Sequence, residues 1–356
     1  MRSKLTIFIP TYERPDFVRR QCAYWAGSGF KILILDGSAE PSVQSDVYGV
    51  DENIRYFHEP VSFRERLAKA SELFDTPYIA MLADDDLYFK AGLDGCVSFL
   101  DQHDDFTTVF GRALAFSTGR YSRVISARAY DGLRDYAVDS DDAIERLGYH
   151  MENYIPSLMY AVSRGESWRY AVAFQAEKQF SFFAQAEVQL EMALSVLGKS
   201  KVLPFPLWLR SREAPSVGIT HPFDEGLKIS VPFNKFWYDE DHEDAKQLFL
   251  DVAVSHLGGF LNAEKGSERE ILSSACSSFA NSLPTDFKNQ QVLKNTLIQL
   301  QKLPLLGLAY LTAKDCIKGQ GYNLPNGVIH YLNCETQHFI DEALQVQNLV
   351  EASYKH

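Results

Sequence analysis

Apolar positions in the first hundred residues fall into short unbroken runs separated by stretches of helical spacing. Leu5–Ile9 is continuous and rich in branched side chains, which predicts a strand buried on both faces. Pro15 suits the first turn of a following helix that carries Phe17, Val18, Tyr24 and Trp25, ended by Gly27 and Gly29. Lys31–Leu35 is a second buried strand, closed by Asp36, Gly37 and Ser38, and Ile54–Phe57 is a third. Ser62–Phe74 returns to helical spacing, with Phe63, Leu67, Ala70 and Phe74 on one face. Tyr78–Leu82 is a fourth strand and runs directly into Asp84, Asp85 and Asp86. Alternation of this kind implies parallel βαβ units with right-handed crossovers. Ligands of such sheets bind beyond the carboxyl ends of the strands, so Thr11–Arg14, Asp36–Ser38 and Asp84–Asp86 converge on one edge.

From about residue 105 to 210 the pattern is mixed. Thr107–Phe110 and Ser157–Val162 read as strands, Ser181–Leu197 as a helix, and Lys201–Leu209 as a closing strand interrupted by prolines. Ser211–Asp224 is polar, holds two prolines and reads as a loop. Farther on, Asp241–Leu257, Glu268–Ser282, Gln291–Leu303 and Glu335–Val350 all have helical spacing, with few strand signals. The expected organisation is an α/β domain over residues 1–232 and an all-helical appendage over 233–356.

Composition narrows the chemistry. The 356 residues are 46% apolar and 23% charged, as in an ordinary globular protein, which excludes disordered, collagen-like and coiled-coil chains. A formal net charge of −12 makes nucleic acid an unsuitable partner for the overall field. Cys22, Cys96, Cys276, Cys316 and Cys334 are scattered, with no C-x-x-C spacing, so neither a zinc cluster nor a disulfide framework is expected. The apolar run at the amino end is too short for a signal peptide. Leu303–Ala313 contains Pro304 and falls far short of the ~20 residues that span a bilayer. The expectation is a soluble, cytoplasmic protein, at most peripheral at the inner membrane face.

The acidic triplet is the most informative local feature. Three adjacent carboxylates repel one another, and at the rim of an apolar sheet they need compensation. Mg²⁺ or Mn²⁺ supplies it, often through one or two carboxylates plus substrate phosphates. A solvated turn or helix cap would also use aspartates. Other chemistries lack their motifs: no G-x-x-x-x-G-K-[ST], no G-x-G-x-x-G after the first strand, no G-x-S-x-G and no H-E-x-x-H occurs.

Ile9-Pro10-Thr11-Tyr12-Glu13-Arg14-Pro15, then Ile34-Leu35-Asp36-Gly37-Ser38, then Ala83-Asp84-Asp85-Asp86 resembles the nucleotide-binding half of a GT-A glycosyltransferase, similar to family 2. The resemblance covers residues 4–112 well and 113–232 loosely, and leaves out the helical tail. It implies a Rossmann-like GT-A domain that takes a nucleotide-sugar donor. Pro10, Thr11, Tyr12, Glu13 and Arg14 would line the donor nucleotide, with the Tyr12 ring on a pyrimidine. Asp36 would accept from the base edge, which favours uracil, although an Asx turn is an equal use of that residue. Asp84 would sit near the ribose and share in the metal site, Asp85 would border the donor, and Asp86 would bind Mn²⁺ or Mg²⁺. Arg66, and less so Arg64, would reach base or phosphate. Glu13 and the single Asp36 depart from the family pattern, which has Asn and often two aspartates.

For the reaction, the resemblance places a general base near the start of a helix well past the triplet. Glu187 and Glu191 lie there, four residues apart on one helix face, and Glu187 is the expected base of an inverting transfer. In the loop beyond the last strand, His221 would complete the metal site, and Arg210 and Arg212 would clamp the diphosphate. No Q-x-x-R-W follows, so a single-addition enzyme is expected rather than a processive synthase. Tyr154–Arg164 falls on the acceptor side, and the acceptor would be a glycan, glycolipid or other glycoconjugate. The tail, with Leu248, Phe249, Val252 and His256 at helical spacing, reads as a packed face; a homodimer contact or membrane docking is its less simple use. Two alternatives stay open: a sugar nucleotidyltransferase, and a degenerate nucleotide- or glycan-binding module.

Overall fold

A computed structural model of the protein describes residues 1–49, 51–118, 123–155, 158–177, 183–213, 231–283 and 322–354. Its centre is a twisted mixed sheet. Strand β1 (Leu5–Thr11) runs parallel to β2 (Lys31–Asp36) on one side and to β4 (Tyr78–Met81) on the other, and β3 (Ile54–His58) lies outside β2. Thr11 and Asp36 are register partners at the carboxyl ends of β1 and β2. Leu82 N–H gives its hydrogen to the Phe8 carbonyl at 2.8 Å, and the next amide of β1 on that side belongs to Pro10, which has none. The ladder between β1 and β4 therefore stops, and the chain after β4 leaves the sheet at the acidic triplet.

The sequence accounts for the connecting helices. Helix α1 (Pro15–Trp25) has Pro15 in its first turn, and Gly27 and Gly29 follow it at φ +68° and +79°, a region glycine enters without strain. Beyond the one-turn α2 (Ser45–Tyr48), α3 (Phe63–Leu73) starts with a capping box: Glu65 N–H bonds to the Ser62 hydroxyl, and Ser62 N–H bonds to the Glu65 carboxylate. The short β5 (Leu87–Tyr88) leads into α4 (Lys90–Gln102), then β6 (Phe106–Thr118), β7 (Val124–Arg128), β8 (Ala137–Val138) and α5 (Ala143–Glu152). The chain continues through β9 (Val162–Arg164), α6 (Gly165–Glu177), α7 (Phe183–Leu197) and β10 (Lys199–Ser211). The sheet order is β3-β2-β1-β4-β9-β6-β10-β5, with β7 beside β6 and β8 beside β10. β9 is antiparallel to both β4 and β6, whereas β10 is parallel to β6.

One strand differs from expectation. Leu158–Tyr160 is a 3₁₀ turn, and the strand begins only at Val162. The reason lies on α7, where the Glu191 carboxylate accepts the backbone N–H groups of Leu158 at 3.3 Å and Met159 at 2.8 Å. Those amides are thereby withdrawn from any ladder. Residues 156–157, and most of the polar loop after β10, lie outside the described residues, as does the expected helix at 291–303.

The later helices belong to the same apolar core as the sheet. Helix α8 (Phe233–Tyr238) packs on α9 (Glu243–Leu257) and α10 (Glu268–Ser282), of which α10 lies against α5 and α9 against α7, with Gln189 bonded to the Phe249 carbonyl at 2.8 Å. Phe249 and Val252 are buried as their spacing predicts, but Leu248 is exposed. Helices α11 (Leu324–Leu332) and α12 (Gln337–Ser353) return to the other side of the sheet, where Arg112 donates to the Leu332 carbonyl at 2.8 Å. Glu342 of α12 accepts the backbone N–H of Lys90 at 2.6 Å and of Ala91 at 3.3 Å. A carboxylate from far along the chain thus caps α4, whose own N-cap residue, Phe89, makes no side-chain cap bond. No helix among the described residues is long and apolar enough to cross a membrane.

Candidate active site

The loops after β1 and β2 are locked to each other. Asp36 is fully buried, and its carboxylate accepts from Ser38 N–H at 2.9 Å, Ser38 hydroxyl at 2.5 Å, Ser42 N–H at 2.8 Å and Tyr56 hydroxyl at 2.5 Å. Burial raises its pKa, but these donors outweigh it and hold the group below the usual carboxylate range. All four acceptor positions are filled, so a base edge would reach Asp36 only by displacing one of these donors. Arg66 is likewise internal, at 1% exposure, and its guanidinium donates to the Thr11 carbonyl at 2.5 Å. A Cβ on Gly37 would lie 2.5 Å from that guanidinium carbon, which explains the glycine. Arg66 braces the ends of β1 and β2 here, rather than reaching outward as the sequence suggested. Arg64 is half-buried on the first turn of α3.

Glu13 has φ +54°, in the left-handed region that Asn enters far more readily than Glu. An Asn at this place would meet that backbone demand with less strain. Glu13 N–H donates to the Ser38 hydroxyl at 2.7 Å, and its carboxylate accepts Ala39 N–H at 3.3 Å. Tyr12 is half-buried beside it.

The acidic triplet is clamped from below by α1. Gln21 donates to the carbonyls of Asp84 at 2.8 Å and Asp86 at 2.6 Å, and Arg20 to that of Asp85 at 2.8 Å. The three carboxylates then diverge. Asp84 accepts from the Thr11 hydroxyl at 2.7 Å and from Arg14 at 2.9 Å, and the same Arg14 nitrogen lies 3.3 Å from Asp85. Asp86 points inward, where one oxygen accepts Trp208 Nε1–H at 2.8 Å and the other Ser211 N–H at 2.7 Å. Burial and the neighbouring Asp85 raise the pKa values of Asp84 and Asp86, and burial raises that of Asp85.

These positions bear on a divalent cation. Asp84 and Asp86, both expected ligands, are 3% and 4% exposed, and each has both oxygens engaged, Asp84 by Thr11 and Arg14 and Asp86 by Trp208 and Ser211. Asp84 and Asp85 form a hard-oxygen pair around Arg14. Among the described residues, no group of three or more His, Cys, Asp or Glu side chains could hold a metal. An ion held at this pair would have to take one or two carboxylates and draw its other ligands from phosphate and water. His221 lies outside the described residues.

Glu187 lies on the first turns of α7. The Tyr154 hydroxyl donates to it at 2.9 Å, and burial pushes its pKa up to about 7, with Glu191 adding to the rise against the Tyr154 bond. The Tyr160 phenol is pushed well above its ordinary value, first by burial and then by Asp86, Glu187, Asp85 and Glu191. That ring stacks on Trp208 with centroids 4.8 Å apart, and Trp208 holds Asp86. Tyr160 therefore links the triplet to the α7 carboxylates. Glu191, by contrast, is fully buried, with His150 Nε2 at 3.1 Å. Arg212 is exposed and donates to the Arg128 carbonyl at 3.1 Å, away from the triplet, whereas Arg210 lies over the Tyr130 and Trp208 rings and bears electrostatically on Asp86. Arg20, Gln21, Trp208 and Tyr160 were missed in the sequence, where none of them stands in a motif.

No family model matches the sequence, and no curated protein matches it. Solved structures do match in shape. S. aureus TarS 1-349 in complex with UDP-GlcNAc, a GT-A-type glycosyltransferase, superposes with a TM-score of 0.53 at 13% identity, covering 97% of this chain and 90% of that one. The same fragment in complex with UDP gives a TM-score of 0.48 at 12% identity over the same shares of the two chains. A mixed sheet with its acidic turn at the carboxyl edge, matched over nearly the whole chain, identifies the architecture: the chain has a GT-A-like glycosyltransferase fold.

Proposed function

We propose that this chain transfers a sugar from a nucleotide-sugar donor, with a UDP-sugar favoured, to a hydroxyl of a glycan, glycolipid or other glycoconjugate. One observation carries the reading. The acidic triplet at the ligand edge of the sheet and a carboxyl group with a pKa of about 7 both bear electrostatically on Tyr160. The fold adds support, since the TarS fragment that shares it was crystallised with UDP-GlcNAc.

Bound Mn²⁺ or Mg²⁺ would supply Lewis-acid stabilisation of the diphosphate leaving group, held by Asp84 and Asp85. The chain's own residues do the rest. Arg14 stands between those carboxylates and can turn its guanidinium to a phosphate. Tyr12 offers its ring to the base, and Arg210 replaces Arg212 as the cation nearest the diphosphate. Glu187, poised near neutral pH, takes the proton from the acceptor hydroxyl, which gives inversion at the anomeric carbon. Tyr154 orients Glu187 through its hydroxyl. Without Q-x-x-R-W, one sugar is added per encounter.

The test is thermal stabilisation of the purified chain by UDP, CMP, GDP and dTDP, each with and without Mn²⁺. A nucleotide at 100 times its Kd stabilises the native state by about 2.7 kcal/mol. A metal-dependent shift with UDP, lost in Asp85→Ala, is the expected result, followed by metal-dependent turnover of a UDP-sugar. Binding without turnover would favour the degenerate module, and no shift with any nucleotide would overturn the proposal.

A further inference from the structure

The clamp beneath the acidic triplet does not end at α1. Arg20 donates to the Asp85 carbonyl with one nitrogen and to Glu213 Oε2 with another, at 2.7 Å, and both side chains of this pair are at most 1% exposed. The guanidinium lies over the rings of Phe17 at 4.8 Å and Phe116 at 6.0 Å. Glu213 is therefore its counter-charge in an otherwise apolar setting. Such a pair holds its geometry only when the remaining lone pairs of the carboxylate are also filled. The Ser211 hydroxyl, at 3.1 Å, shares Oε2. The other oxygen, Oε1, accepts from the Tyr354 hydroxyl at 2.8 Å, just past the end of α12. The same helix grips α1 one turn farther along, where the Tyr24 hydroxyl meets Glu342 at 2.9 Å.

We infer that the end of α12 is part of the donor site: Tyr354, acting through Glu213 and Arg20, positions the acidic turn for its ligand. The inference rests on the donor reading above and extends it to a positioning residue that touches no substrate. Without the Tyr354 hydroxyl, Oε1 of Glu213 loses its donor and the carboxylate is drawn toward water. Arg20 then follows Glu213 or gives up the Asp85 carbonyl, and the turn loosens on that side.

Two measurements on the full chain test this. Hydrogen exchange of the 82–88 segment reads the turn directly, since Asp86 N–H is bonded to the Ala83 carbonyl at 3.1 Å. Calorimetric titration with UDP, with and without Mn²⁺, reads the ligand site. Glu213→Gln leaves Arg20 buried without its counter-charge and lowers folding stability as well. Tyr354→Phe keeps the pair, so it decides the matter. In Tyr354→Phe, exchange at 82–88 should quicken by about fivefold and UDP should bind about three- to tenfold more weakly, at a nearly unchanged melting temperature. Tyr238 is a comparably exposed tyrosine on α8, bonded to Asn281, so Tyr238→Phe should change neither readout. Unchanged exchange and unchanged UDP affinity in Tyr354→Phe would overturn the inference, even if melting fell. Faster exchange with unchanged affinity would overturn its donor-site part. If the wild-type chain binds none of UDP, CMP, GDP and dTDP, the donor reading fails on that result alone, and the exchange data still decide whether Tyr354 sets the turn.

Discussion

Asp36 ends β2 and Asp86 follows β4, on either side of β1; the two are almost equally hidden, at 0% and 4% exposure, yet their protons behave in opposite ways. Four donors surround Asp36 and hold its pKa down in spite of burial. Asp86 has two, with Asp85 beside it, and its pKa rises. Glu187 has a single donor, from Tyr154, and titrates near pH 7. Burial acts upward on all three; the donors around Asp36 outweigh it, whereas Asp85 beside Asp86 and Glu191 near Glu187 add to the rise. Asp36 is a finished piece of scaffolding, whereas burial and neighbouring charge leave the triplet and Glu187 holding their protons more tightly.

Substitutions can break this ranking. Glu187→Gln removes the proton acceptor and should cut the rate of sugar transfer by about 10²–10⁴, measured at saturating donor; a loss below threefold would remove Glu187 from the mechanism. Asp36→Ala strands four donors and should cost about 3–5 kcal/mol in chemical denaturation. Asp85→Asn should do the reverse, leaving stability within about 1 kcal/mol of wild type, or raising it, while UDP binding with Mn²⁺ weakens at least about tenfold.

The pH profile sharpens the ranking further. The Glu187 pKa rises from 4.5 to about 7 on folding, so the folded chain holds this proton more tightly. Its contribution to stability is full below pH 4.5 and is lost as pH rises through about 7, and Glu187→Gln should flatten that slope. Catalysis runs the other way, since a base must be ionised, and activity should climb through the same region. Tyr154→Phe removes a bond that lowers the pKa and should move the midpoint of that climb to higher pH. The smallest effect belongs to the backbone: Glu13→Asn, at φ +54°, should raise stability by about 0.5–1 kcal/mol in thermal melts.

The features that could be read from the sequence are the local ones. β1 to β4, the Pro15 start of α1 and the helix over Ser62–Phe74 depend on residues a few positions apart, and all formed where their pattern placed them. The meeting of Thr11, Asp36 and the triplet followed from the parallel sheet. Partners of the triplet could not be read in this way. Trp208 is 122 positions from Asp86, and Glu213 is 193 from Arg20, so neither leaves a local signature. The same holds for Glu342 as the cap of α4. Arg66 and Gly37 belong with these, since their close approach shows only once β1, β2 and α3 are assembled.

The bond between Tyr354 and Glu213 has a consequence in time. The two residues are 141 positions apart, which at about 5–20 residues per second is roughly 7–28 seconds of synthesis. Throughout that interval the nascent chain already contains the acidic turn, Arg20 and Glu213, but not the hydroxyl that seals them. A chain stalled on the ribosome in this window would have its sheet and its carboxylates, with the turn still unsecured. The last bond of this chain of contacts therefore forms only after α12 has been made.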